Sequence, residues 1–378
     1  GDLVIGRYRP NDGIDWYWVD GLPLDAEPQL NPSGPRGGVI ENGPDVGLYT
    51  ALVAGRNDTL HVVYYDADNQ ALKYALGTLD DGAYRWYTLT LDSMGDAGLW
   101  PSISIDEEGR PGVAYRVSNI DGVSQIRFIQ ATSDEPGEIG DWGEPYVLHD
   151  RALDPELVDL GTYPEGTGLF TTQARTPDGG VMVAWYDRSV GQLYAVTQDE
   201  MGFTVPTVLA GWESGSEGLR GDMGANVDLI VDGDGRAFLC FQDGQTDSLR
   251  FLSPELSLSE WVDDGVWLDV GGRGHSVHVV GEDCNIELDA DGQPLIVYQD
   301  STMQALLMRR RTRMSADGDS LSWSGRQSLR GDSDRFTGSH GFYISTVRMD
   351  NRLYISHFVY RNHVEPSRSG LEVFSIEL

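Results

Sequence analysis

Lysine is almost missing from this chain. Lys73 is the single one, and arginine carries nearly all the positive charge. Against 27 basic residues stand 60 acidic ones, for a formal net charge of −33. A surface this poor in cations repels phosphate backbones, so nucleic acid is excluded as a partner. Adsorption on anionic lipid is disfavoured for the same reason. Cysteine is scarce too: Cys240 and Cys284 are the only two, too few for a disulfide framework. Two buried free thiols are expected, with a pairing as the alternative. No apolar run approaches the roughly 18–20 residues of a membrane span, so no membrane insertion is expected. Long helical periodicity is absent as well. What is present is 47 glycines, 40% hydrophobic and 10% aromatic residues, a globular composition with many turns between short strands.

The stretch Gly47–Asp92 shows the organisation. It reads as four strands, Gly47–Gly55, Thr59–Asp66, Ala71–Leu76 and Tyr84–Leu91, separated by Asn, Asp and Gly turns. One such meander cannot bury both its faces, so it must stack on copies of itself. The copies are visible. Second strands recur as LHVVYYD (Leu60–Asp66), PGVAYRV (Pro111–Val117), VMVAWYD (Val181–Asp187), AFLCFQD (Ala237–Asp243), PLIVYQD (Pro294–Asp300) and LYISHFV (Leu353–Val359). Fourth strands are expected to open on Trp86, Trp142, Phe203, Trp261 and Trp323, whose recurrence fits packing between repeats. A sixth, at Trp16, lies at the other end of the chain and would close the ring. The fold expected is all-β, one six-bladed β-propeller domain over 1–378. Its blades fall at about 47–92, 93–150, 160–210, 221–270, 279–330, and 338–378 plus 1–20. Both Leu3–Tyr8 and Leu371–Ile376 look like third strands, which leaves seven blades as the alternative.

The YYD-type second strands and the Asp/Gly turn before a fourth-strand aromatic, Thr78–Trp86 in the first repeat and Ser315–Gly318 to Trp323 in the fifth, resemble secreted bacterial propellers of the sialidase-like, Asp-box (BNR-type) group. Both turns carry extra residues before the Trp. The arginine triad and Tyr/Glu/Asp set that a sialidase would require have no counterpart here. The resemblance implies a propeller at the cell surface or outside the cell, with any signal peptide already removed. Fold alone does not fix activity.

Long connections on one propeller face are where a site is expected: 21–46, 150–167, 211–224, 271–283 and 331–340. Asp66, Asp187, Asp243 and Asp300 end their second strands toward that face. They would ring a channel mouth and hold calcium or a polyhydroxylated ligand, unless each caps its own turn. Arg116 and Val359 take the Asp's place in blades two and six. Asn226 and Asn285 complete the ligand-binding candidates. If the protein is an enzyme, His340, His278, Asp283 and Asp228 are the candidate acid/base groups, since they would set imidazoles and carboxylates around half the mouth. The Asp-x-Asp-Gly hairpins read as tight turns and not calcium loops. Arg220-Gly221-Asp222 and Arg330-Gly331-Asp332 read as turn sequences. The expected function is a secreted or cell-surface binding module, monomeric, for carbohydrate or protein. The alternatives are a glycoside hydrolase or polysaccharide lyase on the same face, and a structural surface protein.

Overall fold

The computed structural model describes residues 1–9, 13–23, 39–154, 165–211, 222–255, 258–268, 275–311, 323–331, 338–361 and 368–378. Parts of each long connection named above lie outside these residues, as do Arg220, Gly221, Asp332 and Ser315–Gly318.

The fold is all-β, a six-bladed propeller of antiparallel blades. Blade 1 is Val46–Ala54, Leu60–Asp66, Ala71–Asp80 and Ala83–Asp92. Blade 2 is Ala97–Ile105, Pro111–Ile120, Val123–Gln130 and Tyr146–Ala152. Blade 4 is Met223–Val231, Ala237–Asp243, Ser248–Ser253 and Leu258–Asp263, and blade 5 is Val280–Leu288, Pro294–Asp300, Ala305–Arg310 and Gln327–Arg330. Each pairs in chain order. In blade 3, Leu169–Arg175, Val181–Asp187 and Gln192–Asp199 are followed by two short strands, Gly202–Phe203 and Thr207–Ala210, both against the third. Blade 6 shows three strands, Ser339–Met349, Arg352–Arg361 and Arg368–Glu377. Two compact units are distinguished along the chain. The first holds the N-terminal strands and blades 1 and 2, the second holds blades 4 to 6, and residues of blade 3 fall in both.

The second strands of blades 1 to 5 are covered on both faces, which is why they read as near-continuous apolar runs, whereas Arg352–Arg361 in blade 6 alternates buried and half-buried residues. In Leu60–Asp66 every residue but Leu60 is buried, and Val181–Asp187, Ala237–Asp243 and Pro294–Asp300 are buried throughout. Within the first unit, Leu72, Tyr74, Val113, Tyr115, Ile129 and Trp142 form one core between blades 1 and 2. Trp142 meets Tyr74 edge-on at 5.0 Å. In the second unit Trp323 meets Phe251 the same way at 5.3 Å. These tryptophans pack blades together, but they do not open fourth strands. Each forms an isolated bridge, to Ala131 and Arg311, and the strand proper follows at Tyr146 and Gln327.

A buried polar joint recurs between blades. Asp92, at the end of blade 1, accepts from Tyr115 Oη at 2.7 Å and Arg127 Nη1 at 2.8 Å, both from blade 2. Asp263, ending blade 4, accepts from Tyr298 Oη at 2.6 Å and pairs with Arg326. Burial alone would raise the Asp263 carboxyl. The Arg326 and Tyr298 bonds outweigh it and hold the group below the usual carboxylate range.

The N-terminal strands Leu3–Arg9 and Gly13–Asp20 pair with each other. Leu3 packs with Val46, Val62 and Tyr64, and Asp20 accepts from Tyr64 Oη at 2.6 Å and from the Lys73 ammonium. The hairpin therefore serves blade 1 as Leu72 and Asp92 serve blade 2, in the role of third and fourth strands. Both third-strand candidates are used, Leu3–Arg9 here and Arg368–Glu377 in blade 6, so Trp16 lies in a two-stranded sheet of its own and not, as expected, in the sheet of blade 6.

A further sequence expectation is corrected. Cys240 and Cys284 are not free thiols: they form a disulfide, Cα–Cα 6.5 Å, because the second strand of blade 4 and the first strand of blade 5 share one core cluster. An unforeseen hairpin, Val266–Leu268 with His275–Val277, stands between blades 4 and 5 in the chain. The Asp-Gly hairpins are tight turns as expected. Asp106, Asp232 and Asp289 each accept two backbone N–H groups of their own turn, which closes on a positive-φ glycine.

Candidate functional site

The four second-strand aspartates are buried, and each serves its own turn. Asp66 accepts from Asn69 N at 3.0 Å, Asp187 from Ser189 N at 3.1 Å, Asp243 from Gln245 N at 3.0 Å and Asp300 from Met303 N at 2.7 Å. This is the Asx-turn chemistry weighed against a cation ring. Register places Val117 opposite Ala97 as Asp66 stands opposite Val46, so Val117 and not Arg116 takes the Asp's position in blade 2. Arg116 lies one residue earlier. It is fully buried, donates to the Glu165 carbonyl at 2.5 Å, and sits 5.6 Å from the Trp100 ring centre.

Trp100 belongs to the most regular feature of the first strands, one that the sequence reading passed over. Each opens with glycine, any residue, then a distinctive side chain: Gly47-Leu48-Tyr49, Gly98-Leu99-Trp100, Gly168-Leu169-Phe170, Gly224-Ala225-Asn226, Gly281-Glu282-Asp283 and Gly341-Phe342-Tyr343. The glycine is forced. Gly98 has φ of 100°, and a Cβ there would lie 2.6 Å from the Leu72 Cα of blade 1. Two residues on, the chain bulges. Pairing slips around Leu48 and Leu99, and Tyr49, Trp100 and Phe170 take φ of 52°, 45° and 52°. Bulky residues in this left-handed region are costly, and bulges re-aim side chains. Here three aromatic rings are re-aimed into a row. Tyr49 and Trp100 are 4.7 Å apart centre to centre, and Trp100 and Phe170 are 5.6 Å apart. Tyr49 is 42% exposed and the other two are half-buried, so the row has a wet face.

In the second unit the same repeat position carries Asn226, Asp283 and Tyr343. Asn226 and Tyr343 again have φ of 52°. Asp283 Oδ2 accepts from Tyr343 N at 2.9 Å. Burial pushes the Asp283 carboxyl up to about 7; the Tyr343 N–H pulls it down and the Glu282 charge pushes it further up. One turn along, Asp228 Oδ2 accepts from Asn285 Nδ2 at 2.6 Å and Ile286 N at 2.9 Å, and Asn285 Oδ1 accepts from Thr346 N at 2.9 Å. Asp228 and Asn285 are thus brought together as rungs joining three first strands.

The two candidate histidines have other neighbours. His278 Nδ1 is 2.9 Å from Asp300 Oδ2, its Nε2 is 2.9 Å from Ser276 Oγ, and Trp267 stacks on the ring at 4.8 Å. The order hydroxyl, imidazole, carboxylate is the one that activates a nucleophile. It also ties the extra hairpin to blade 5. His340 is buried in blade 6, beside His357 and Glu372. His278, His340 and Asp283 therefore belong to three separate hydrogen-bonding groups, where one cluster was expected.

No protein-family model and no curated protein matches the chain. Solved structures do. The BP39L lectin from Burkholderia pseudomallei aligns with a TM-score of 0.50 at 14% identity, over 87% of this chain and 84% of the lectin. A Hadza microbial sialidase aligns with a TM-score of 0.46 at 12% identity, over 97% of this chain and 77% of that one. A polysaccharide lyase aligns with a TM-score of 0.47 at 10% identity, over 100% and 88%. At these identities the likeness is one of fold. Among the described residues no helix is long and apolar enough to cross a membrane.

Proposed function

We propose that the protein is an extracellular or cell-surface propeller that binds carbohydrate on the aromatic row Tyr49–Trp100–Phe170. The observation that carries this reading is the row itself: three large rings at strained bulges, side by side, one exposed and two half-buried. Backbone strain of order 1–3 kcal/mol per residue persists only where the surroundings hold it, and it clusters at ligand sites. Ring faces suit the apolar C–H faces of sugars, and the chain's net charge of −33 disfavours polyanions. The Cys240–Cys284 disulfide fits an oxidising compartment.

A second reading has its own support. A carboxyl with its pKa near 7 is matched to general acid work at neutral pH, and Asp283 is such a group. On that reading the protein is a glycoside hydrolase or polysaccharide lyase. A glycan array run beside a polysaccharide-degradation screen separates the two. Glycan retention without products supports the binding module, and products that disappear in Asp283→Asn support the enzyme. Neither retention nor products on any glycan would overturn both, leaving a protein ligand or a structural role.

A further inference from the structure

Blade 6 departs from its five sisters at three places, and the three departures meet. The residue before the first-strand glycine is Val46, Ala97, Thr167, Met223 and Val280 in blades 1 to 5, all buried; in blade 6 it is His340. The large aromatic two before the second-strand turn position is Tyr64, Tyr115, Trp185, Phe241 and Tyr298; in blade 6 it is His357. Facing that aromatic on the third strand stand Lys73, Arg127, Arg250 and Leu307 in blades 1, 2, 4 and 5; facing His357 is Glu372. A small or apolar residue, a ring and a cation or leucine have become two imidazoles and a carboxylate.

Their donor atoms converge. His357 Nε2 is 3.2 Å from Glu372 Oε2, His340 Nδ1 is 3.9 Å from the same oxygen, and all three donors lie within 4.8 Å of one another. Donors around a tetrahedral zinc at about 2.0–2.2 Å stand about 3.4 Å apart, so the set closes on an ion with sub-ångström shifts. Both histidines are fully buried, while the Glu372 side chain keeps 26% of its surface, which leaves an open side for a water or ligand. The surrounding groups orient the set. Arg330 Nε donates to Glu372 Oε1 at 2.8 Å, leaving Oε2 to face the histidines. His357 Nδ1 has the Phe358 carbonyl at 3.3 Å, which suits an Nδ1–H tautomer with its Nε2 lone pair toward the site. It also has the Gly341 N–H at 3.2 Å, which suits the other tautomer.

We infer that His340, His357 and Glu372 form a binding site for one transition-metal dication, zinc by ligand type, which staples the three strands of blade 6. The site is independent of the carbohydrate reading. Two imidazoles and one carboxylate are too soft and too few for calcium.

The test is zinc chloride titrated calorimetrically into the chelator-stripped full chain, with metal content after desalting. Cobalt(II) loading gives a visible spectrum that reports tetrahedral nitrogen ligation. His340→Val restores what blades 1 and 5 carry, and Glu372→Gln is the milder, partly exposed change. One zinc per chain with sub-micromolar Kd is expected, weakened at least 100-fold in both variants, while a variant of the exposed His275 binds as the parent does. If His340→Val does not fold, Glu372→Gln decides alone. Sub-stoichiometric zinc, or equal affinity in Glu372→Gln, would overturn the site.

Discussion

Asp283→Asn should stabilise this protein, and by more at alkaline pH than at acid pH. Asp283 is a bulge residue whose carboxyl is pushed from 3.8 to about 7 by burial, against the Tyr343 N–H bond and with help from Glu282. Its folded pKa is raised, so the native state holds the proton more tightly than the unfolded chain. Stability is then highest below about pH 4. It falls as pH rises from about 4 to 7, and the penalty is complete above that. Each tenfold in proton affinity is 1.36 kcal/mol, so the full penalty is about 4 kcal/mol, and at pH 5 it is about 2 kcal/mol. These are upper bounds, since part of the side chain meets water. Asparagine cannot ionise, yet its side-chain oxygen can still accept from Tyr343 N. Urea midpoints of parent and variant, measured from about pH 5 to 9, isolate this group from the other titrating ones. The stability gap should widen by about 2 kcal/mol across that range. A gap independent of pH, or one that narrows as pH rises, would refute the assignment of a desolvated carboxyl.

Other outcomes follow from the blade joints. Asp92→Ala leaves the largely buried Arg127 without its carboxylate, with only the Gln125 amide oxygen still accepting from it, and Tyr115 Oη without its acceptor, and should cost about 3–5 kcal/mol in chemical unfolding. Cys240→Ser opens a bridge spanning 44 residues of sequence and should cost about 4 kcal/mol by loop entropy, with the same loss on adding reductant to the parent.

The second strands were legible because burial on both faces leaves an unbroken apolar run, and the hairpins because Asp and Gly are demanded by turn geometry. Fourth strands were misplaced at Trp142 and Trp323. There the packing residue precedes the strand, and aromatic content reports burial rather than pairing. Arg116 was set one residue out of register because blade 2 has no Asp to anchor the alignment, and a one-residue slip exchanges the faces of a strand. The glycine–any–aromatic openings were present at Gly47, Gly98, Gly168 and Gly341, but their meaning lies in backbone φ, which side-chain periodicity does not carry. The His340–His357–Glu372 group needed three strands in register before its members became neighbours. His340 alone was picked out from sequence, for a different role.

The aromatic row is tested most directly by the affinity of a glycan retained on the array. Trp100→Ala removes the central, half-buried ring of the row, while Trp261→Ala removes a more exposed tryptophan from a fourth strand. Truncating a central aromatic anchor costs about 2 kcal/mol, roughly thirtyfold in Kd. Isothermal titration of both variants should show that loss in Trp100→Ala and parent affinity in Trp261→Ala; the reverse pattern, or undiminished binding by a folded Trp100→Ala, would contradict the placement of the ligand on this row.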